Sequence, residues 1–193
     1  SVVATASADM TARLWRRDDG HCIHKFDASD YGNCYSANFS PNGKLLVTAG
    51  MDGTGRIWDV ATGRCVIVLN AREQHGGSDM DDAMFSPDGL RVLTRVDNFA
   101  ILWDVIMLIA VAKDESAPQV PTATILKKLE CHGGHLLGAE FSPDGQAILT
   151  CSNEDHAQVW NANTGALLWS LAAHDSLSSA HFSPATVVTS GTP

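Results

Sequence analysis

Apolar positions in this chain come in short runs cut by Pro, Gly, Asn and Asp, and the runs repeat. Residues 44–50, "KLLVTAG", follow the turn residues Ser40, Pro41, Asn42 and Gly43, then lead through an Asp-containing turn into "RIWDV". Proline presets its own backbone angle and glycine accepts conformations that other residues resist, so the Pro-Asn-Gly triplet is a tight turn between strands. In the last strand of each motif the residue before the tryptophan is Leu14, Ile57, Leu102 or Val159, and three before it stands Ala12, Gly55, Ala100 or Ala157. This period of two predicts a β-strand, with a small residue where a neighbour approaches closely. The tryptophan itself points to the opposite face, so both faces of the sheet are apolar. Small antiparallel sheets of that kind must stack on one another.

The repeat has a measurable phase. "FSP" begins at Phe39, Phe85, Phe141 and Phe182, and the tryptophans fall at Trp15, Trp58, Trp103 and Trp160. The intervals from Phe to the next Trp are 19, 18 and 19 residues, whereas those from Trp to the next Phe are 24, 27, 38 and 22. Length variation is confined to one half of the unit, as expected if that half carries the loops that tolerate insertion.

These residues carry a resemblance. Phe-Ser-Pro-Asp-Gly, an aliphatic run, an Asp turn, aliphatic-Trp-Asp and Thr-Gly together resemble the WD (Trp-Asp) repeat of β-propellers. Trp58-Asp59 and Trp103-Asp104 give the signature pair, and Trp15-Arg16 and Trp160-Asn161 weaker versions of it. The resemblance implies an all-β WD-repeat propeller with about four blades present, part of a larger ring of about seven. The units run over residues 1–33 (partial), 34–79, 80–135 with an insertion at 106–120, 136–176 and 177–193 (partial). Residues 2–9 and 186–192 align with the same second strand. A rival arrangement has the segment around Phe182 complete the sheet begun at Val2 and close a four-bladed ring, at the cost of a duplicated strand.

The resemblance also implies a hydrogen-bond chain in each blade, from the indole to Ser/Thr, then His, then Asp. The matching positions are Ser7, Asp9 and Trp15 in the first unit, and Asp52 and Trp58 in the second, with Gly50 at the hydroxyl position and Asp30 near the His position. The third has His75, Asp97 and Trp103, with Arg95 at the hydroxyl position. The fourth has His132, Ser152, Glu154 and Trp160, with Asp155 adjacent. On this pattern the fourth unit is expected to be the best held by polar contacts and the second the least.

His132 follows Trp103 by 29 positions, whereas His174 follows Trp160 by 14, so about 15 are inserted near residues 106–120. The expectation for its apolar start is an overlong third strand or short helix packed on its own blade, the alternative being a contact with another subunit. "HGGH" at residues 132–135 has metal-like spacing without a completing cluster, so no metal or other cofactor is expected. Cys22, Cys65 and Leu167 stand seven residues after their tryptophans, and Cys34, Met80, Leu136 and Leu177 five before their phenylalanines, all as packing positions. Cys131 is read as structural, with partial exposure. Residues 79–82, "DMDD", read as a solvated acidic loop or a lure for a basic partner. No Ser-His-Asp arrangement at a strained turn and no phosphate-cradling glycine loop is present, so no catalytic residue is assigned.

Composition narrows the function. The 193 residues are 45% hydrophobic and 18% charged, with a net charge of −9. That charge repels nucleic-acid backbones and anionic lipid, and favours basic protein surfaces. Five cysteines without a CxxC pair fit the cytoplasm or another reducing intracellular compartment. The start lacks a secretory pattern, and the eight apolar residues 105–112 are too few for a membrane helix of ~20. The expected partners are therefore other proteins, with neither nucleic acid nor membrane insertion, and with missing blades or a second chain completing the assembly. The function expected is a non-catalytic scaffold, or alternatively a regulatory or sensory segment of a larger multidomain protein. Candidate contact residues lie in the linkers entering each unit: Asp30, Tyr31, Arg72, Glu73, His75, Asp79, His132 and His135.

Overall fold

The computed structural model describes residues 1–72, 79–106, 120–131, 134–154, 156–172, 177 and 179–183. Expected positions Glu73, His75, His132, Asp155 and His174 lie outside the described residues, as does most of the insertion. Among the described residues the chain is all β. β1 (Val2–Ala6), β2 (Thr11–Arg16) and β3 (Cys22–Asp27) form a three-stranded sheet. β4 (Cys34–Phe39), β5 (Leu45–Gly50), β6 (Thr54–Asp59) and β7 (Cys65–Asn70) form the second sheet, of four strands. The third comprises β8 (Met80–Phe85), β9 (Arg91–Val96), β10 (Phe99–Asp104) and β11 (Thr124–Glu130). The fourth comprises β12 (Leu136–Phe141), β13 (Ala147–Ser152), β14 (His156–Asn161) and β15 (Leu167–Ala172). Each sheet is an antiparallel meander whose strand order follows the chain, the arrangement of propeller blades.

The repeated Phe-Ser-Pro turn explains the sharp reversal between first and second strands. Ser40 Oγ accepts from Leu45 N at 3.0 Å and donates to Asn42 Oδ1 at 2.9 Å, while Gly43 takes a positive φ of 69°. Ser86 with Asp88, and Ser142 with Asp144, repeat the device. A short side chain thus satisfies the backbone groups that the turn leaves unpaired.

The core lies between sheets, not within one. Ala12, Leu14 and Phe26 of the first sheet bury against Leu46 and Trp58 of the second, with the Phe26 and Trp58 rings 5.0 Å apart. Val47, Ile57, Ile67 and Leu69 then meet Met80, Val92 and Trp103, and Leu93, Leu102 and Leu129 meet Ile148 and Trp160. Trp58, Trp103 and Trp160 face the preceding sheet, and Leu14, Ile57 and Leu102 face the following one. The small residues stand where close approach requires: a Cβ added to Gly55 would lie 2.9 Å from Met80 Sδ and 3.1 Å from Thr48 O.

The rival closure, with the segment around Phe182 completing the first sheet, is not found among the described residues. Leu177, Ala180 and Phe182 pack on Leu149, Ala157 and Val159 of the fourth sheet instead of beside β1. Leu167, expected as core, is 44% exposed, and Trp169 and Leu171 beside it are 52% and 57% exposed. Their counterparts Ile67 and Leu69 are fully buried because another sheet covers them. The expectation for the apolar start of the insertion falls on residues 107–119, outside the described residues; just past its far end, residues 121–123 lie along β7 of the preceding sheet.

Register decides where each indole bonds. Trp58 stands opposite Leu46, and Thr48, two residues along the same face, accepts its Nε1–H at 3.0 Å. Thr5, Thr94 and Thr150 accept from Trp15, Trp103 and Trp160, each at 2.9 Å. The expected hydroxyls Ser7 and Ser152 are therefore displaced by threonines two residues earlier, and the third sheet uses Thr94 instead of lacking a hydroxyl. Ser152 Oγ is buried with no hydrogen-bond partner among the described residues. Thr150→Val is expected to lower stability by about 1–3 kcal/mol, because it orphans a buried indole donor. Ser152→Ala is expected to leave stability unchanged or raise it, and urea unfolding of both variants checks the contrast.

Candidate functional site

The turns between β1 and β2, β5 and β6, β9 and β10, and β13 and β14 build one end of the molecule. In the first sheet Asp9 Oδ1 accepts from Thr11 N at 3.2 Å and from Thr11 Oγ1 at 2.6 Å, and Asp9 Oδ2 pairs with Arg13 at 2.6 Å. The second repeats this with Asp52, Thr54 and Arg56. "DMTAR" and "DGTGR" carried this signal, an Asp followed by Thr two and Arg four residues later, which the indole pattern overlooked. Third and fourth sheets lack it: Asp97 takes a positive φ of 52° in a shorter turn, and Glu154 offers its carbonyl to His156 Nδ1 at 2.6 Å.

The second unit, expected to be the least well held, has the densest polar network among the described residues. Asp52 is fully buried. Its Oδ2 accepts from Asp30 N at 2.7 Å and from Arg56 Nη1 at 3.3 Å. Arg56 also donates to Ala28 O at 2.6 Å and to Asp30 Oδ1 at 2.7 Å, tying the first sheet to the second. Burial opposes ionisation of Asp52, yet the bonds from Asp30 and Thr54 and the Arg56 charge outweigh it and hold the carboxyl below its ordinary range. Arg56, invisible in the indole pattern, here does what a histidine would.

Beside this network Arg72 lies over the half-exposed Tyr31 ring at 5.0 Å and donates from Nε to Asp52 O. Across the next sheet boundary Tyr35 Oη donates to Asp79 Oδ2 at 2.8 Å. Asp79, Asp81, Asp97 and His135 line a cavity of about 270 Å³. His135 Nε2 stands 3.2 Å from Asp97 Oδ1, and Arg95 3.9 Å from Asp81 while donating to Leu136 O. The structure thus gathers Asp79, Asp97 and His135 with Asp81 and Tyr35, and places Asp30, Tyr31 and Arg72 around Asp52. Residues 79–82, read as an acidic loop, instead run into the first strand of the third sheet, with Met80 buried.

The cavity concentrates negative charge. Burial pushes the Asp81 carboxyl above its ordinary range, Asp79 and Asp97 add to the shift, and Arg95 and His135 oppose it. Among the described residues no group of three or more His, Cys, Asp and Glu side chains is arranged to hold a metal ion. Cys131, expected to be partly exposed, is 5% exposed, and burial raises its thiol to about 11, so it is a packing residue touching Thr150 at 3.4 Å. All five cysteines are unpaired. No helix among the described residues is long and apolar enough to cross a membrane.

Because the folded pKa of Asp81 lies above the unfolded value of about 3.9, its ionised form counts against folding. The penalty is absent below the unfolded value and grows as pH rises through the folded one. Asp81→Asn is expected to raise the thermal midpoint at pH 7, the difference vanishing below about pH 3.9. A lower midpoint for the variant at pH 7 would contradict this reading.

The WD domain, G-beta repeat family matches this chain at residues 20–59 and 123–161. The chain is similar to Eukaryotic translation initiation factor 3 subunit I of Lodderomyces elongisporus, at 27% identity over 172 residues, 88% of this chain and 47% of that protein. It is 28% identical to Pre-mRNA-processing factor 19 homolog 2 of Arabidopsis thaliana over 163 residues, 83% of this chain and 28% of that protein. WD repeat-containing protein 37 of Mus musculus is 30% identical over 174 residues, 90% of this chain and 31% of that protein. The chain spans less than half the length of each of these relatives.

Proposed function

Because the chain belongs to the WD-repeat family, we propose that it is a non-catalytic scaffold that holds other proteins within a complex. Its contact surface is the end of the molecule that carries the acidic cavity. The observation that carries this reading is the grouping of Asp79, Asp81 and Asp97 around one opening, with a half-buried carboxylate whose charge Arg95 and His135 leave incompletely balanced. A lysine or arginine side chain of a partner would supply the missing positive charge, and the net charge of −9 steers such a partner inward. Rigid sheets hold the surrounding loops in place, which reduces the ordering cost of binding. The neighbouring surface of Asp30, Tyr31 and Arg72, with an exposed aromatic ring stacked by a guanidinium, extends the contact.

One relative's name makes it a subunit of a larger factor, which supports assembly with other proteins. The greater length of the relatives supports the second reading, a regulatory segment within a larger protein. The uncovered apolar side chains of β15 support further units of the same kind packing against the fourth sheet. Five unpaired cysteines support a reducing compartment such as the cytoplasm.

Titration calorimetry with an arginine-rich peptide and a neutral peptide of equal length tests the contact surface. The basic peptide is expected to bind in preference, and Asp79→Asn with Asp81→Asn to weaken it by about tenfold, with the gap closing as salt screens the charges. Equal binding of both peptides, or of the basic peptide by parent and double variant, would overturn the assignment.

A further inference from the structure

The outer strand of a blade offers unpaired backbone groups to any extended polypeptide. In the second sheet that edge is occupied. Val68 N donates to Pro121 O at 2.9 Å and Ala123 N donates to Val68 O at 2.8 Å, so Thr122 bridges Val68 in parallel. These residues precede β11, which begins at Thr124 and belongs to the third sheet. One short stretch of backbone therefore pairs with two sheets in succession.

We propose that residues 121–123 are a clasp, which closes the outer edge of β7 to other polypeptides and ties the third sheet to the second. The local chemistry suits the role. Pro121 is used through its carbonyl alone, so its missing N–H costs nothing, and a proline disposes the residue before it to extended backbone. Ala123 is 8% exposed and joins the buried cluster of Ile67, Leu69, Trp103 and Val105 that fills the boundary between the sheets. The clasp thus works by backbone pairing on one side and by burial of a small side chain on the other. An extended segment from another protein would add to such an edge in the same way, and the clasp competes with it from within the chain.

The molecule contains its own controls. Val68 stands opposite Arg56, and the same register places Lys25 opposite Arg13 and Ser170 opposite Gln158 in edge strands β3 and β15. Residue-resolved hydrogen exchange of the native protein is expected to show the Val68 amide at least about tenfold slower than those of Lys25 and Ser170, after correction for intrinsic rates. Ala123→Pro removes the bond to Val68 O, freeing the stretch that carries Pro121 O, the acceptor of the Val68 amide, and is expected to bring Val68 toward the other two. Exchange of Val68 in the native protein as fast as Lys25 and Ser170, or its unchanged protection in the folded variant, would overturn the clasp.

Discussion

A four-stranded sheet with two apolar faces cannot hide either of them by itself, and every other feature of this molecule follows from that constraint. Residues on β5 and β6 are buried almost throughout because a sheet lies on each side. Each fully buried Leu, Ile or Val contributes about 1.5–3 kcal/mol relative to exposure, so boundaries that bury Ile57, Ile67, Leu69 and Trp103 outweigh any single hydrogen bond. The sheets are held in series by these boundaries, and disturbing one reaches its neighbours first.

Polar contacts then fix the geometry that burial alone leaves loose. The indole-to-threonine bonds set the angles of Trp58, Trp103 and Trp160 within their boundaries, and Arg91 reaches Gly145 O at 3.0 Å and Ala162 O at 3.1 Å to tie the third sheet to the fourth. At the opposite end, Arg56 and Asp52 serve the first two sheets. At Asp79, Asp81 and Asp97 carboxylates gather around a cavity with Arg95 and His135 beside them, and this is the proposed contact surface.

The strands and the stacking were legible in the chain because both depend on short-range pattern: Pro and Gly mark turns, and a period of two marks faces. The indole partners were not, since Ser7 and Ser152 satisfy the spacing as well as Thr5 and Thr150 do, and a diagonal across two strands decides between them. Arg56 escaped for a different reason. Its partners Ala28 and Asp30 belong to the preceding connection, and a residue-by-residue match to a histidine position does not reveal an arginine arriving from another strand. The edge pairing of residues 121–123 depends on where a long insertion returns, which local sequence leaves open. The acidic cavity was half legible: Asp79, Asp97 and His135 were candidates, but their convergence required the relative placement of the third and fourth sheets.

The most direct test of inter-sheet burial is exchange of the five indole Nε1 protons, followed by NMR in deuterium oxide. Trp58, Trp103 and Trp160 are 7%, 1% and 7% exposed and bonded to threonines, whereas Trp169 is 52% exposed. Slow exchange at those three and fast exchange at Trp169 is the predicted result. Exchange at Trp103 as fast as at Trp169 would contradict the stacking of sheets on which the whole description stands.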